Sequence, residues 1–176
     1  MTSSTFNHDP LDAIIVPAAP GPSALRTVLS AGCAAATIDI VFAFVFFGMT
    51  LSITPLRVLQ SVATGWYGRA SFDGGLTTAA IGLVSHYLIL IVAAWLYYLA
   101  SRSVALINRH AVACGIAFGL AIYVAMTFVI VPLSATPPRA LTLSVVSVGQ
   151  FLIHPVIGLA IALITRRGAP GAQLSR

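Results

Sequence analysis

Residues 30–52 read SAGCAAATIDIVFAFVFFGMTLS and contain a single charged side chain, Asp39, and no proline. At about 1.5 Å of rise per residue, a helix of this length crosses a hydrocarbon core of about 30 Å. A carboxylate near the middle of such a helix costs about 2.5 to 3.5 kcal/mol on insertion scales, so it needs a partner or a function. We therefore predict a membrane span and look for the partner of Asp39 in the rest of the chain.

The composition of the chain is that of an integral membrane protein. Of its residues, 59% are hydrophobic and 7% are charged, whereas about 25% of the residues in soluble domains are charged. The net charge is +5, and every basic residue is an arginine. We ascribe this charge to the loops rather than to a nucleic-acid site. Cys33 and Cys114 fall in apolar helical stretches, so we expect reduced thiols and no disulfide framework.

Three further stretches are apolar and long enough to cross a bilayer, at 76–100, 111–131 and 141–165. The connections between them are short, which favours antiparallel neighbours. The predicted fold class is an all-α integral membrane protein. More specifically, we predict a four-transmembrane-helix up-and-down bundle with a short interfacial amphipathic helix between the first two spans.

The interfacial helix is predicted over 55–66, after a capping Thr54 and with Pro55 at its first position. Its apolar residues share one face, and its polar residues, which include Gln60, lie opposite. Trp66 suits the headgroup level, so we expect the helix to lie flat on the membrane surface. A re-entrant helix that covers the mouth of the bundle is the alternative.

The arginines predict the orientation of the domain. We assign 28–167 to the membrane domain, 1–27 to a flexible proline-rich cytoplasmic tail and 168–176 to a C-terminal cytoplasmic tail. Cytoplasmic loops of an inner membrane are enriched in basic residues. One side carries more arginines than the other: Arg26, Arg102, Arg109, Arg166, Arg167 and Arg176 against Arg57, Arg69 and Arg139. We therefore expect a multi-pass protein of the bacterial inner (plasma) membrane with both termini in the cytoplasm.

Each span carries one stripe of small and polar residues at helical spacing, which is what helix interfaces in lipid use. The stripes are Gly32, Ala36, Asp39, Ala43 and Thr50; Ala79, Gly82, His86, Ala93 and Tyr97; Gly115, Gly119, Tyr123 and Thr127; and Ser147, Gln150, His154, Gly158 and Ala162. One polar group per span lies near mid-depth: Asp39, His86, Tyr123 and His154. We predict that these four converge as a ligand- or proton-binding site with coupled titration. The plainer interpretation is a histidine packed on a carbonyl and a tyrosine that only packs.

The chain resembles a group of uncharacterised bacterial four-helix inner-membrane proteins of unknown function. The resemblance covers about 32–165 and is carried by a set of short motifs: Ile38-Asp39, Leu59-Gln60, Gly65, Gly68, Gly74-Gly75, Gly82, His86, Tyr97-Tyr98, Pro132-Leu133, Pro137-Pro138-Arg139 and His154. It implies that these positions belong together, and it implies no activity.

Three functions remain open. The first is a small proton- or cation-linked transport protein that uses Asp39, His86 and His154. The second is a structural or partner-binding membrane module, in contact with the lipid bilayer and with a homo-oligomer or a membrane protein as partner. The third is a haem protein with His86 and His154 as axial ligands, or a divalent-metal protein that adds Asp39.

Catalysis is the weakest class, and we predict that the protein is not an enzyme. The chain has no phosphate-binding glycine loop and no paired acids at hydrolase spacing. Ser85 and His86 are neighbours on a helix, so their side chains diverge.

Overall fold

A computed structural model describes residues 24–138 and 143–168 of the chain, and the regular elements within them are helices. In chain order they are α1 (Ala24–Leu51), α2 (Pro55–Tyr67), α3 (Gly75–Ser103), α4 (Ala105–Arg109), α5 (Ala111–Leu133) and α6 (Val145–Arg167). Four of them, α1, α3, α5 and α6, are long and apolar enough to cross a membrane. The predicted all-α bundle of four long apolar helices, with a short helix between the first two, is confirmed.

The ends of the long helices differ from the predicted ones by a few residues. α1 begins at Ala24 rather than at residue 30, and its first turns are buried at Thr27 and Val28. α6 begins at Val145 because Ser144 caps it, accepting a hydrogen bond from the backbone N–H of Ser147. Residues 1–23 and 169–176, which make up most of the two predicted tails, lie outside the described part. Residues 139–142, in the connection before α6, lie outside it as well.

Glycines set the distance between the long helices. A Cβ atom on Gly32 of α1 would lie 2.6 Å from the Cα atom of Ile91 on α3. A Cβ atom on Gly119 of α5 would collide with the carbonyl oxygen of His154 on α6, and one on Gly115 would lie 2.7 Å from Cβ of Ala162. The backbones approach so closely at these positions that only glycine fits, as the predicted stripes of small residues require.

Most residues of these stripes face the interior. On α3 all five predicted positions are buried. On α1, Gly32, Ala36 and Ala43 are buried, whereas Thr50 is exposed and bonds to the carbonyl of Phe46. The stripes on α5 and α6 are buried at Gly115, Gly119, His154, Gly158 and Ala162, and half-buried at Tyr123, Thr127, Ser147 and Gln150.

The short helix α2 packs against α1 and α3, with Val58 in a cluster that includes Ile40 and Ala43 of α1. A Cβ atom on Gly82 of α3 would collide with the carbonyl oxygen of Leu59, so the two backbones touch. The connection after α5 closes over the end of α2, where the amide of Ala135 donates to the carbonyl of Gly65 over 3.0 Å.

The inward face of α2 is only partly the predicted one, because Val58 and Ala63 of the apolar face are buried but so are two residues of the polar face. Gln60 is 2% exposed and Thr64 is 3% exposed, whereas Trp66 is 67% exposed. The Gln60 amide donates to the carbonyl of Gly75 over 3.1 Å, and the Trp66 indole N–H donates to Oγ of Ser85 over 2.9 Å. The polar groups turn inward because they find hydrogen-bond partners there, which the apolar pattern of the sequence does not reveal.

The helices run antiparallel, so five arginines fall at one end of the bundle. Gly168, after α6, packs on Thr27, near the start of α1. Arg26, Arg102, Arg109, Arg166 and Arg167 therefore lie at this end, which we call the arginine end, while Arg57 and Arg69 lie at the other. Arg139 and Arg176 are outside the described residues. The side of the membrane that each end faces stays a prediction.

Candidate functional site

Asp39 and His86 face each other between α1 and α3. Oδ2 of Asp39 lies 3.8 Å from Nε2 of His86, and the side chains are 20% and 10% exposed. The close crossing of α1 and α3 at Gly32 brings the two residues to the same level. The distance allows an ion pair when the imidazole is protonated, but it is too long for a hydrogen bond.

A hydrogen bond to the backbone fixes the imidazole of His86. Its Nε2 atom lies 3.0 Å from the carbonyl oxygen of Ala36. Because a carbonyl can only accept, we infer that Nε2 carries the hydrogen in the neutral ring and donates it. The Nδ1 atom then remains to take up a second proton, and the ring would become a cation beside Asp39.

His154 is also held by a backbone carbonyl, on its own helix. Nδ1 of His154 lies 2.6 Å from the carbonyl oxygen of Gln150, so Nδ1 is the donor and Nε2 is the nitrogen left for a proton. Pro155 follows directly and has no N–H for the carbonyl of Phe151. Each histidine therefore has one nitrogen engaged and one available.

Tyr123 reaches the site only through His154. Its ring packs edge-on against the imidazole, with the centroids 5.3 Å apart and the planes at 75°. It packs in the same way against Phe151, with the centroids 5.4 Å apart. Both are contacts of a packing aromatic, and within the described part of the chain no hydrogen bond or ring contact joins Tyr123 directly to Asp39 or His86.

We use the name polar centre for three of the four predicted residues: Asp39 and His86, which form a pair, and His154 on α6. Both imidazoles are in residues that are 8% exposed. Among the described residues no ion pair or hydrogen bond joins His154 to Asp39 or His86. The arrangement can bind a proton, and it can hold a positive ion near the carboxylate when His86 is neutral.

The geometry gives no support to a metal or haem site. In residues 24–138 and 143–168, no group of three or more His, Cys, Asp or Glu side chains is arranged to hold a metal ion, and this applies to Asp39, His86 and His154. The Nε2 atom of His86, a nitrogen that commonly binds iron, is bonded to Ala36.

Sequence patterns missed several polar contacts next to this centre. Thr37 donates to the carbonyl of Cys33 over 2.8 Å and accepts from the hydroxyl of Tyr87 over 2.9 Å, which ties α1 to α3 on the outer side of the polar centre. Both residues border the predicted stripes rather than belong to them. The buried hydroxyls of Thr27, Tyr97 and Thr165 were also missed as a group, because they are far apart in the sequence.

No protein-family model, curated protein or solved structure matches the chain. The resemblance to bacterial inner-membrane proteins stays a prediction, and the four-span architecture depends on the structure alone.

Proposed function

We propose that the protein is a small proton- or cation-linked transport protein in which the polar centre binds the ion at mid-depth. The observation that carries the proposal is the state of Asp39. Among the described residues no hydrogen bond reaches its carboxylate, and its ion-pair partner, Nε2 of His86, is 3.8 Å away. A carboxylate that served only to join helices would need hydrogen-bond donors, because an unsatisfied charge in hydrocarbon is costly.

The two histidines support a role in proton exchange. Histidine changes charge more readily near neutral pH than other side chains do. Each ring here donates one N–H to a backbone carbonyl, so it keeps its position while the other nitrogen gains or loses a proton. Protonated His86 would pair with Asp39, and neutral His86 would leave the carboxylate free to attract a cation.

Flux measurements in proteoliposomes test the proposal. The purified protein is reconstituted with a pH-sensitive dye inside the vesicles, and a pH gradient is imposed with and without Na⁺ or K⁺. We expect Asp39→Asn to abolish the protein-dependent flux, because the amide has nearly the same shape and no titratable proton. Asp73→Asn is the matched control, since Asp73 is exposed in the connection before α3. Equal fluxes for the wild type and Asp39→Asn would refute the proposal.

A partner-binding module is the second candidate, and one observation favours it. Trp66 and Tyr67, at the end of α2, are 67% and 53% exposed. Exposed neighbouring aromatics are typical of binding surfaces and of membrane interfaces. Co-purification of a stable membrane partner from native membranes, lost in Trp66→Ala and kept in Trp95→Ala, would favour this function.

We also propose the cellular setting and the class of protein. The arginine end of the bundle would face the cytoplasm of a bacterium across its inner membrane. A non-enzymatic role is proposed because the sequence has no recognisable nucleophile and base pair.

A further inference from the structure

A shallow groove runs along the outer face of α1 at the arginine end of the bundle. It has a volume of about 470 Å³ and is lined by Leu25, Arg26, Leu29, Ser30 and Cys33. Leu25 and Leu29 are 67% and 41% exposed. Ligand sites in proteins typically have volumes of about 300–1,000 Å³, so the groove can hold part of a ligand.

The spacing of the lining residues gives the groove a charged mouth and an apolar length. Leu25, Leu29 and Cys33 follow each other at intervals of four residues, so they form one row along the helix, and Arg26 and Ser30 form a second row beside it. Arg26 lies in the first turn of α1, which begins at residue 24. Cys33 lies seven residues further in, which is about 10.5 Å of helix. The groove therefore leads from the end of the span towards its middle.

Ser30 does not interrupt the apolar stretch. Its hydroxyl donates to the carbonyl of Thr27 on the same helix over 3.0 Å. A serine that is bonded to its own backbone in this way leaves its donor satisfied, so it can lie beside a hydrocarbon chain. Arg26 is the charged residue among the five that line the groove.

A second arginine lies close to the mouth of the groove. A Cβ atom on Gly168, after α6, would collide with Oγ1 of Thr27 on α1. Arg26 and Arg167 are the chain neighbours of these two touching residues, and both arginines are exposed. The other three arginines of the arginine end add to the positive charge there.

The described acids lie elsewhere. Within residues 24–138 and 143–168 they are Asp39, near the middle of α1, and Asp73, in the connection at the opposite end of the bundle. A negative group at the mouth of the groove would thus meet the charge of the arginines without a described carboxylate beside it. The electrostatics of this end favour an anion.

We propose that the groove is a binding site for an anionic phospholipid, with the phosphate against Arg26 and an acyl chain along Leu25, Leu29 and Cys33. A guanidinium has five N–H donors in a planar fork that matches phosphate oxygens, so it can bind a phosphate and other groups together. Basic pockets at the ends of membrane spans bind anionic headgroups in this way. A free phosphate ion would leave the leucines uncovered, whereas a lipid covers them.

Cys33 reports directly on occupancy of the groove because its half-buried thiol is part of the wall. The purified protein in dodecyl maltoside is treated with a maleimide, and labelling is followed by peptide mass spectrometry. Labelling of Cys33 should slow about threefold when phosphatidylglycerol is present at about twice its Kd, because about a third of the sites then remain empty. Phosphatidylcholine with the same acyl chains should leave the rate unchanged. Cys114, a half-buried thiol on α5, is the internal control for effects on the micelle.

Arg26→Gln tests the contact with the phosphate. Arg26 is exposed, so the variant should fold normally. We expect phosphatidylglycerol to lose its effect on Cys33 in this variant, and native mass spectrometry should show fewer bound phosphatidylglycerol molecules. Arg69→Gln, at an exposed arginine of the opposite end, is the matched control and should behave like the wild type.

Four results would overturn the proposal. Cys33 labelling that neither lipid changes would mean that lipid does not occupy the groove, and equal slowing by both lipids would mean that the headgroup is not recognised. Slowing by inorganic phosphate without lipid would assign the site to a free ion. Slowing by phosphatidylglycerol that persists in Arg26→Gln would remove the arginine from the site. The inference is independent of the proposed transport function, because binding is measured without a gradient.

Discussion

Oδ2 of Asp39 and Nε2 of His86 lie 3.8 Å apart on two different membrane-spanning helices, α1 and α3. The same nitrogen is closer to the carbonyl oxygen of Ala36, at 3.0 Å. The imidazole is therefore anchored to the backbone of the helix that carries the acid. The pair can change its charge without losing the contact that positions it, which is what a proton-binding centre in a membrane requires.

Replacing His86 by glutamine should separate stability from function. A glutamine amide can still donate to the carbonyl of Ala36 but cannot take up a proton. Hydrogen bonds between membrane helices contribute about 0.6 kcal/mol on average, so we expect a small loss of stability and a large loss of flux. Thermal unfolding measures the loss of stability, and the vesicle assay measures the loss of flux. His110→Gln is the control, because His110 is an exposed histidine after α4. Equal flux in His86→Gln and His110→Gln would argue against a role for His86.

Replacing Gly119 by alanine should destabilise the bundle. The added Cβ atom would collide with the carbonyl oxygen of His154, which is backbone and cannot move aside. Overpacking of this kind costs about 1–3 kcal/mol, and we expect a clearly lower melting temperature. Gly48→Ala is the control, because its Cβ atom would lie 3.8 Å from the carbonyl oxygen of Ile53, an ordinary contact. If both variants melt like the wild type, the close packing of α5 on α6 is wrong.

Replacing Trp66 by phenylalanine should loosen α2. The change keeps the aromatic ring but removes the N–H that donates to Ser85 over 2.9 Å. We expect faster amide hydrogen exchange over Pro55–Tyr67, measured by mass spectrometry in nanodiscs. Trp95→Phe, at a half-exposed tryptophan of α3, should leave this exchange unchanged. Unchanged exchange in Trp66→Phe would show that the indole bond does not hold α2.

Thiol labelling in intact cells should establish the orientation. With Cys33 and Cys114 replaced by alanine, single cysteines are introduced by Ser103→Cys at the arginine end and Asp73→Cys at the other. The excess of arginine predicts that a membrane-impermeant reagent labels Asp73→Cys from outside and labels Ser103→Cys only after the cells are opened. The reverse pattern would invert the topology.

The sequence predicts the fold well because the bilayer restricts the choices. A long apolar run must be a helix in lipid, and small residues at helical spacing must face other helices. The five stripe positions of α3 are accordingly all buried. The pairing of Asp39 with His86 also follows from their depth, since one polar group in each of two adjacent helices has little else to contact.

The orientation of individual side chains could not be predicted in the same way. Gln60 was expected on the outer face of α2, yet it is buried because the carbonyl of Gly75 lies within its reach. Tyr123 was expected to converge with Asp39 and both histidines, yet the ring contacts that it makes within the described residues are with His154 and Phe151. Such contacts depend on how α2 and α5 dock, and hydrophobic periodicity alone does not specify docking.

The central claim is that Asp39 gains and loses a proton inside the membrane domain. The most direct measurement is infrared difference spectroscopy of the reconstituted protein over a range of pH, with Asp39→Asn as the reference. The chain has only four acidic residues, so the carboxyl region of the spectrum is simple. We predict a reversible, pH-dependent carboxyl band that is absent in Asp39→Asn and altered in His86→Gln. A spectrum in which the wild type and Asp39→Asn titrate identically would contradict the claim.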